Sequence, residues 1–175
     1  MSEKPFMYQD MTECALLKWA LDYRTEPIIR TFESIPEEHT WVRPRPNINT
    51  PAFIFGHIAV TERSHIGCFV QGVNDIPDGF GSFRAWPAND EEIRAAVASK
   101  QVLIDYWHEV RTQTHDYLAR ITDADLKEEA GKSLLPEDDP NRHNPIREWF
   151  IMTIEHQNQH WGQLEIIAKL IQSGA

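Results

Sequence analysis

Near the C-terminal end of the chain the stretch IEHQNQHWGQL, residues 154–164, sets His156 and His160 four residues apart. On a helix, at about 100° and 1.5 Å per residue, these rings lie within about 40° of each other around the axis and roughly 6 Å apart along it. Two imidazoles so placed can lean toward one point. They serve either as ligands of a divalent metal or as a hydrogen-bonded pair in the core. The intervening Gln157, Asn158 and Gln159 do not supply the glutamate that acts as general base in His-Glu-x-x-His zinc proteases. Trp149, Met152 and Gln163 fall within about 40° of His156, so the face is inward as well as polar.

Two ligands rarely hold an ion alone, and a third has to come from another helix. His39 and His143 fall in turn-rich stretches. His108 and His115, beside Arg111 and about 100° off the apolar stripe of their segment, read as a solvated face. His65 is rotated about 80° from His57 on an ideal helix. His57 sits within TPAFIFGHIAVTERSHI, behind a glycine that admits a close neighbour. It reads as the third ligand or as a core histidine bonded to a backbone carbonyl.

Four long helical segments must position these residues. The first spans roughly Met11 to Ser34, with Pro27 expected to kink or interrupt it. The second starts at Thr50-Pro51, a cap followed by proline at the first helical position, and runs to about Gln71. The third is expected from Asn89 or Asp90 to about Ile121, on a stripe of Ala96, Leu103, Trp107, Val110, Thr114, Tyr117 and Ile121. The fourth begins at Asn144-Pro145 and continues to about Gln172. No segment alternates with period two. The expectation is an all-α four-helix bundle, a single domain over 1–175, with long loops capping one end.

The composition narrows the partners. Lys plus Arg number 17 against 27 Asp plus Glu, a formal net charge of −10 that repels phosphate backbones and anionic lipid heads. Nucleic acid and membrane are therefore not expected as partners, and without an apolar run of membrane-spanning length the chain reads as cytoplasmic. Cys14 and Cys68 read as reduced thiols that pack as small hydrophobes.

The ordered set WVRPRPNINTPAFIFGHIAVTE (41–62) and EHQNQHWGQLEII (155–167) resembles the DinB-like (DNA-damage-inducible, YfiT-like) superfamily of metal-dependent four-helix bundles, which is distinct from the DNA polymerase of similar name. The pattern is a Trp-x-x-Pro approach, here Trp41 and Pro44, one histidine on the next helix, His57, and a late His-x-x-x-His-x-Gly-Gln, here His156, His160, Gly162 and Gln163. The resemblance implies that His57, His156 and His160 hold one divalent ion (Zn, Ni or Fe), with Gln163 orienting a ligand ring. Gln157 departs from members that carry an acidic residue after the first late histidine. Gly162 departs from a sulfoxide-synthase branch that carries a glutamate there.

The implied chemistry is metal-dependent transfer of a low-molecular-weight thiol such as bacillithiol to a small electrophile, or hydrolysis. Pairing into a homodimer is implied as well. The reacting group would be a metal-activated water or thiolate rather than a side chain. Trp41, Arg43 and Arg45 on one loop and Arg84 and Trp86 on another are the expected substrate contacts, the arginines suiting a carboxylate-bearing thiol. The reading from another class is a bundle that binds a metal or small ligand without catalysis. Ligand imidazoles must be unprotonated, so with free pKa values near 6.5 the metal is expected to leave below about pH 6.

Overall fold

A computed structural model of the chain describes residues 10–84 and 88–174. Thr12 opens the first long helix by accepting a hydrogen bond from the Ala15 N–H, and α1 runs Glu13–Glu33. Pro27 does not interrupt it, contrary to expectation. Proline removes its own N–H, and the carbonyl so freed belongs to Tyr23, which is on the exposed side. The hydroxyls of Thr25 and Thr31 bond the carbonyls of Leu21 and Pro27 at 3.0 and 2.8 Å, within the same turns. A single turn, α2 (Glu37–Thr40), follows and carries His39.

Thr50 accepts from the Phe53 N–H, Pro51 takes the first helical position, and α3 runs Pro51–Arg63. From Ser64 to Gln71 the winding widens to π-helical, and Gly72 ends it at φ 70°. A side chain at Gly72 would place its Cβ 2.5 Å from the Lys132 carbonyl oxygen, so both the backbone angle and the space require glycine.

The expected third helix is two helices. Asn89 caps α4 (Asp90–Ala96), Val97 leaves helical space at φ −124°, ψ 114°, and Ser99 caps α5 (Lys100–Leu118). Val97 is fully buried in the main apolar cluster, and packing there holds it extended. The apolar stripe runs through the break, which is why periodicity alone reads it as one helix. The last helix, α6 (Ile146–Gln172), starts one residue later than a cap at Asn144 implies. Pro145 takes the cap position because the Ile146 N–H donates to the Glu128 carbonyl at 2.9 Å, beside an isolated bridge between Glu129 and Pro145. No strand occurs among the described residues, and the fold is all-α.

Helix α3 is central, packed on both α5 and α6, with α1 laid along α6. It is buried almost all round, as a helix in the middle of a bundle must be. The apolar core forms two clusters. One contains Phe32, Phe53, Phe55, Ile58, Phe83, Trp107, Leu164 and Ile167; the other contains Leu17, Leu21, Ile66, Leu118, Trp149 and Phe150. Each fully buried side chain of this size contributes about 1.5–3 kcal/mol. Trp41 and Ile48 of one connection, and Ile76, Phe80 and Phe83 of another, pack on the first cluster, whereas Leu126, Ala130 and Leu135 of the longest connection, 119–145, pack on the second. Between the clusters, on α3, the π-helical turns after it, α5 and α6, lies a layer of buried or half-buried polar residues: His57, Glu62, His65, Arg111, Thr153, His156, Gln157 and His160.

Candidate metal centre

His57, His156 and His160 meet in this layer, with a potential ligand atom from each lying within 4.8 Å of the others. The ring centroids of His57 lie 4.8 Å from both His156 and His160, and those of His156 and His160 are 4.3 Å apart. The His57 and His156 Nε2 atoms are 3.0 Å apart. Two nitrogens bonded to one zinc at about 2.0–2.1 Å can be no more than about 4.2 Å from each other, so this pair is already within reach of a single ion.

The tautomers follow from the partners. The His57 Nδ1–H donates to the Phe83 carbonyl at 2.6 Å, leaving a lone pair on Nε2. Gly56 makes that contact possible: a Cβ there would lie 2.3 Å from Phe83 Cε1. Phe53 stacks on the His57 ring at 5.3 Å and 12°. The core-histidine reading and the ligand reading are therefore compatible, because the carbonyl takes one nitrogen and frees the other. The His160 Nδ1–H donates to Gln163 Oε1 at 2.7 Å, one turn along α6, and again Nε2 keeps its lone pair. The His156–His57 contact is a hydrogen bond only with the His156 proton on Nε2. With that proton on Nδ1, two lone pairs face each other, an arrangement that a bound cation would relieve. This donor set, three convergent imidazoles with two orienting acceptors, fits a divalent ion of the zinc, nickel or iron kind.

Burial pushes all three rings below the ordinary imidazole pKa. For His156 burial, then repulsion from His160 and His57, brings the value down to about 2. Burial lowers His57 against the opposing effect of the Phe83 carbonyl, and lowers His160 against that of Gln163. The rings are neutral at pH 7, the form that ligates.

The other candidate contacts divide. Arg84 reaches the site: it lines a cavity of about 200 Å³ with His57, Thr61, Ser64, His65 and Phe69. Arg43 is engaged elsewhere, its guanidinium bonding Asp90 at 2.5 and 3.0 Å and the Ala88 carbonyl at 3.2 Å. The Trp41 indole N–H donates to Glu37 at 3.0 Å, and Arg94 stacks on its ring at 4.4 Å. Arg45 is exposed on its loop. Trp86 lies outside the described residues. Gln163 also lines a cavity of about 270 Å³ with Ile48, Asn49, Ile54, Ile166 and Ile167.

Glu62, about 140° from His57 on an ideal helix, is 1 % exposed, since α3 has no outward side at its level. Arg111 was placed on a solvated face and is buried, whereas His108 beside it is exposed and His115 half-buried against Asp22. Arg111 Nη2 pairs with Glu62 Oε2 at 2.9 Å, and Gln157 Nε2 donates to the same oxygen at 2.6 Å. This brace ties α3, α5 and α6 at the level of the triad. His65 is not in the triad, as its helical angle implies; its ring lies 6.3 Å from His156, at the start of the π-helical winding from Ser64. No sequence signal marks the π-turns.

Similarity to known proteins follows the same lines. No curated protein matches the chain. Among solved structures, a conserved protein from Enterococcus faecalis superposes with a TM-score of 0.72 over 93 % of this chain and 99 % of its own, at 20 % identity, which shows a common fold. The family model of the DinB superfamily matches residues 20–164, a span that holds all three histidines. The chain belongs to the DinB superfamily.

Proposed function

We propose that His57, His156 and His160 hold one divalent metal ion and that the protein is a metal-dependent enzyme acting on a small electrophile with a low-molecular-weight thiol or with water. The observation that carries the reading is the convergence of three neutral imidazoles, two of them with Nδ1 already committed to an acceptor. A divalent ion bound there supplies Lewis acidity that favours the anionic form of a thiol or water near neutral pH. The chain's own residues do the rest. Phe83 and Gln163 fix ring orientation, Phe53 and Phe69 form apolar walls, and Arg84 supplies a cation at the cavity. The test is a panel of thiols and electrophiles assayed with zinc-, nickel- and iron-loaded protein. Turnover that disappears on chelation and returns with metal supports the enzyme. A bound metal without turnover on any pair supports the non-catalytic bundle instead.

Replacing Gln163 by Ala leaves all three ligands but frees the His160 Nδ1–H. Losses of such orienting partners cost about 10 to 100-fold in metal affinity or rate, and that range is expected here. Titration with a competing chelator measures it. Unchanged affinity and rate would remove Gln163 from the site.

Acid acts through the fold as well as the ligands. The folded pKa values of His57, His65, His156 and His160 are all depressed, His65 to about 4 and His156 to about 2. Below about pH 6.5 the unfolded chain takes up protons that the folded chain refuses. The stability is therefore present above pH 6.5 and is lost as pH falls toward the folded values. The same depression moves the expected metal release below the pH that free imidazoles imply. Metal release is expected below that pH and to coincide with loss of the fold, as followed by metal content and near-UV circular dichroism on one acid titration. Release near pH 6 from fully folded protein would contradict it.

A further inference from the structure

One histidine of the polar layer has no part in the proposed ligand set. The His65 Nδ1 lies 2.9 Å from Thr153 Oγ1, and the single hydroxyl hydrogen of Thr153 is donated to the Trp149 carbonyl at 2.7 Å. Thr153 can then only accept from His65, so His65 carries its proton on Nδ1 and a lone pair on Nε2. Trp149 and Phe69 flank the ring, with centroids at 5.4 and 6.0 Å, and hold its orientation. His65 shares its cavity with His57, one of the triad, and with Arg84. Arg84 is exposed and has no hydrogen-bond or ion-pair partner among the described residues. The cavity thus presents a fixed acceptor, and a cation with no partner among the described residues, next to the triad, in a space of about 200 Å³ that suits a small molecule.

We propose that His65 and Arg84 form a substrate subsite beside the triad, selective for a small molecule that carries a carboxylate close to an N–H, O–H or S–H donor. Arg84 takes the carboxylate, His65 Nε2 accepts the donor's hydrogen, and Phe69 covers the apolar part. The subsite rests on the metal-centre reading for its place next to the reacting group, although neither His65 nor Arg84 is a ligand in that reading. His65 holds the substrate here by hydrogen bonding, which a half-buried neutral imidazole with a free Nε2 can do.

The probes are N-acetylcysteine and N-acetylcysteamine, which differ only by the carboxylate, titrated by calorimetry into zinc-loaded wild type, Arg84→Gln, Arg84→Lys, His65→Phe and His65→Gln, each with its zinc content measured. Wild type is expected to prefer the acid by about tenfold, the scale of one charge-assisted hydrogen bond. Arg84→Gln should abolish that preference and Arg84→Lys restore part of it. His65→Phe should weaken both probes by about the same factor with zinc content unchanged, and His65→Gln, which keeps an acceptor, should recover part of the loss. Equal binding of the two probes by zinc-loaded wild type overturns the subsite and leaves the metal centre standing. If the protein takes up no zinc, the same titration on metal-free protein, read by long-range ¹H–¹⁵N correlation of the His65 ring, decides separately. A shift at His65 Nε2 with N-acetylcysteine upholds the subsite while the metal reading falls, and no shift, or a proton already on Nε2, overturns it.

Discussion

His160→Ala is expected to lower metal affinity by well over 100-fold and to abolish metal-dependent turnover. His160 is buried, its ring meets both His57 and His156, and its Nδ1 is held by Gln163. Removing it leaves a two-imidazole site, which falls short of the three protein ligands that open catalytic centres use. The loss should exceed that of Gln163→Ala, which removes only an orienting acceptor. Because two apolar clusters flank the polar layer, the variant should still fold, so circular dichroism can separate loss of metal from loss of structure. If His160→Ala matched wild type in turnover across the panel, metal catalysis by the triad would be excluded.

The second large effect is on stability. In Arg111→Met the Glu62 carboxylate would remain 1 % exposed with only the Gln157 amide as partner. Breaking a buried pair from one side costs about 3–5 kcal/mol, because an uncompensated charge is left in the interior. For a domain of this size each kcal/mol is worth about 2–4 °C in Tm, so a fall of roughly 6–20 °C is expected by calorimetry. The double change Glu62→Gln with Arg111→Met removes the charge as well as its partner and should recover much of the loss. A single-variant cost below about 1 kcal/mol would show that the brace is not what holds α3, α5 and α6 together at this level.

Much of this architecture was legible in the chain. Thr50-Pro51 announced the start of α3, and the glycine before His57 announced a close neighbour, which is the Phe83 ring. The four-residue spacing of His156 and His160 was enough to place both on one face of α6. What stayed hidden shares a physical cause: it depends on where other elements go. The break at Val97–Ser99 left the apolar stripe unbroken, so no local pattern separated α4 from α5. Arg111 reads as part of a solvated face when judged on its own helix, yet it lies opposite Glu62 across the bundle. His65 stays outside the triad, as its helical angle implies, and its bond to Thr153 on α6 is a long-range contact with no local signature. The Phe83 carbonyl, a backbone atom on a loop, has no residue-type signature at all.

The metal content of protein purified without a metal-affinity tag tests the central claim most directly. Elemental analysis of wild type and His57→Ala, prepared side by side and then dialysed against zinc, nickel or iron(II), is predicted to give about one divalent ion per wild-type chain. The variant should retain little or none. Wild type that takes up none of these ions, or a variant that binds as much as wild type, would contradict it.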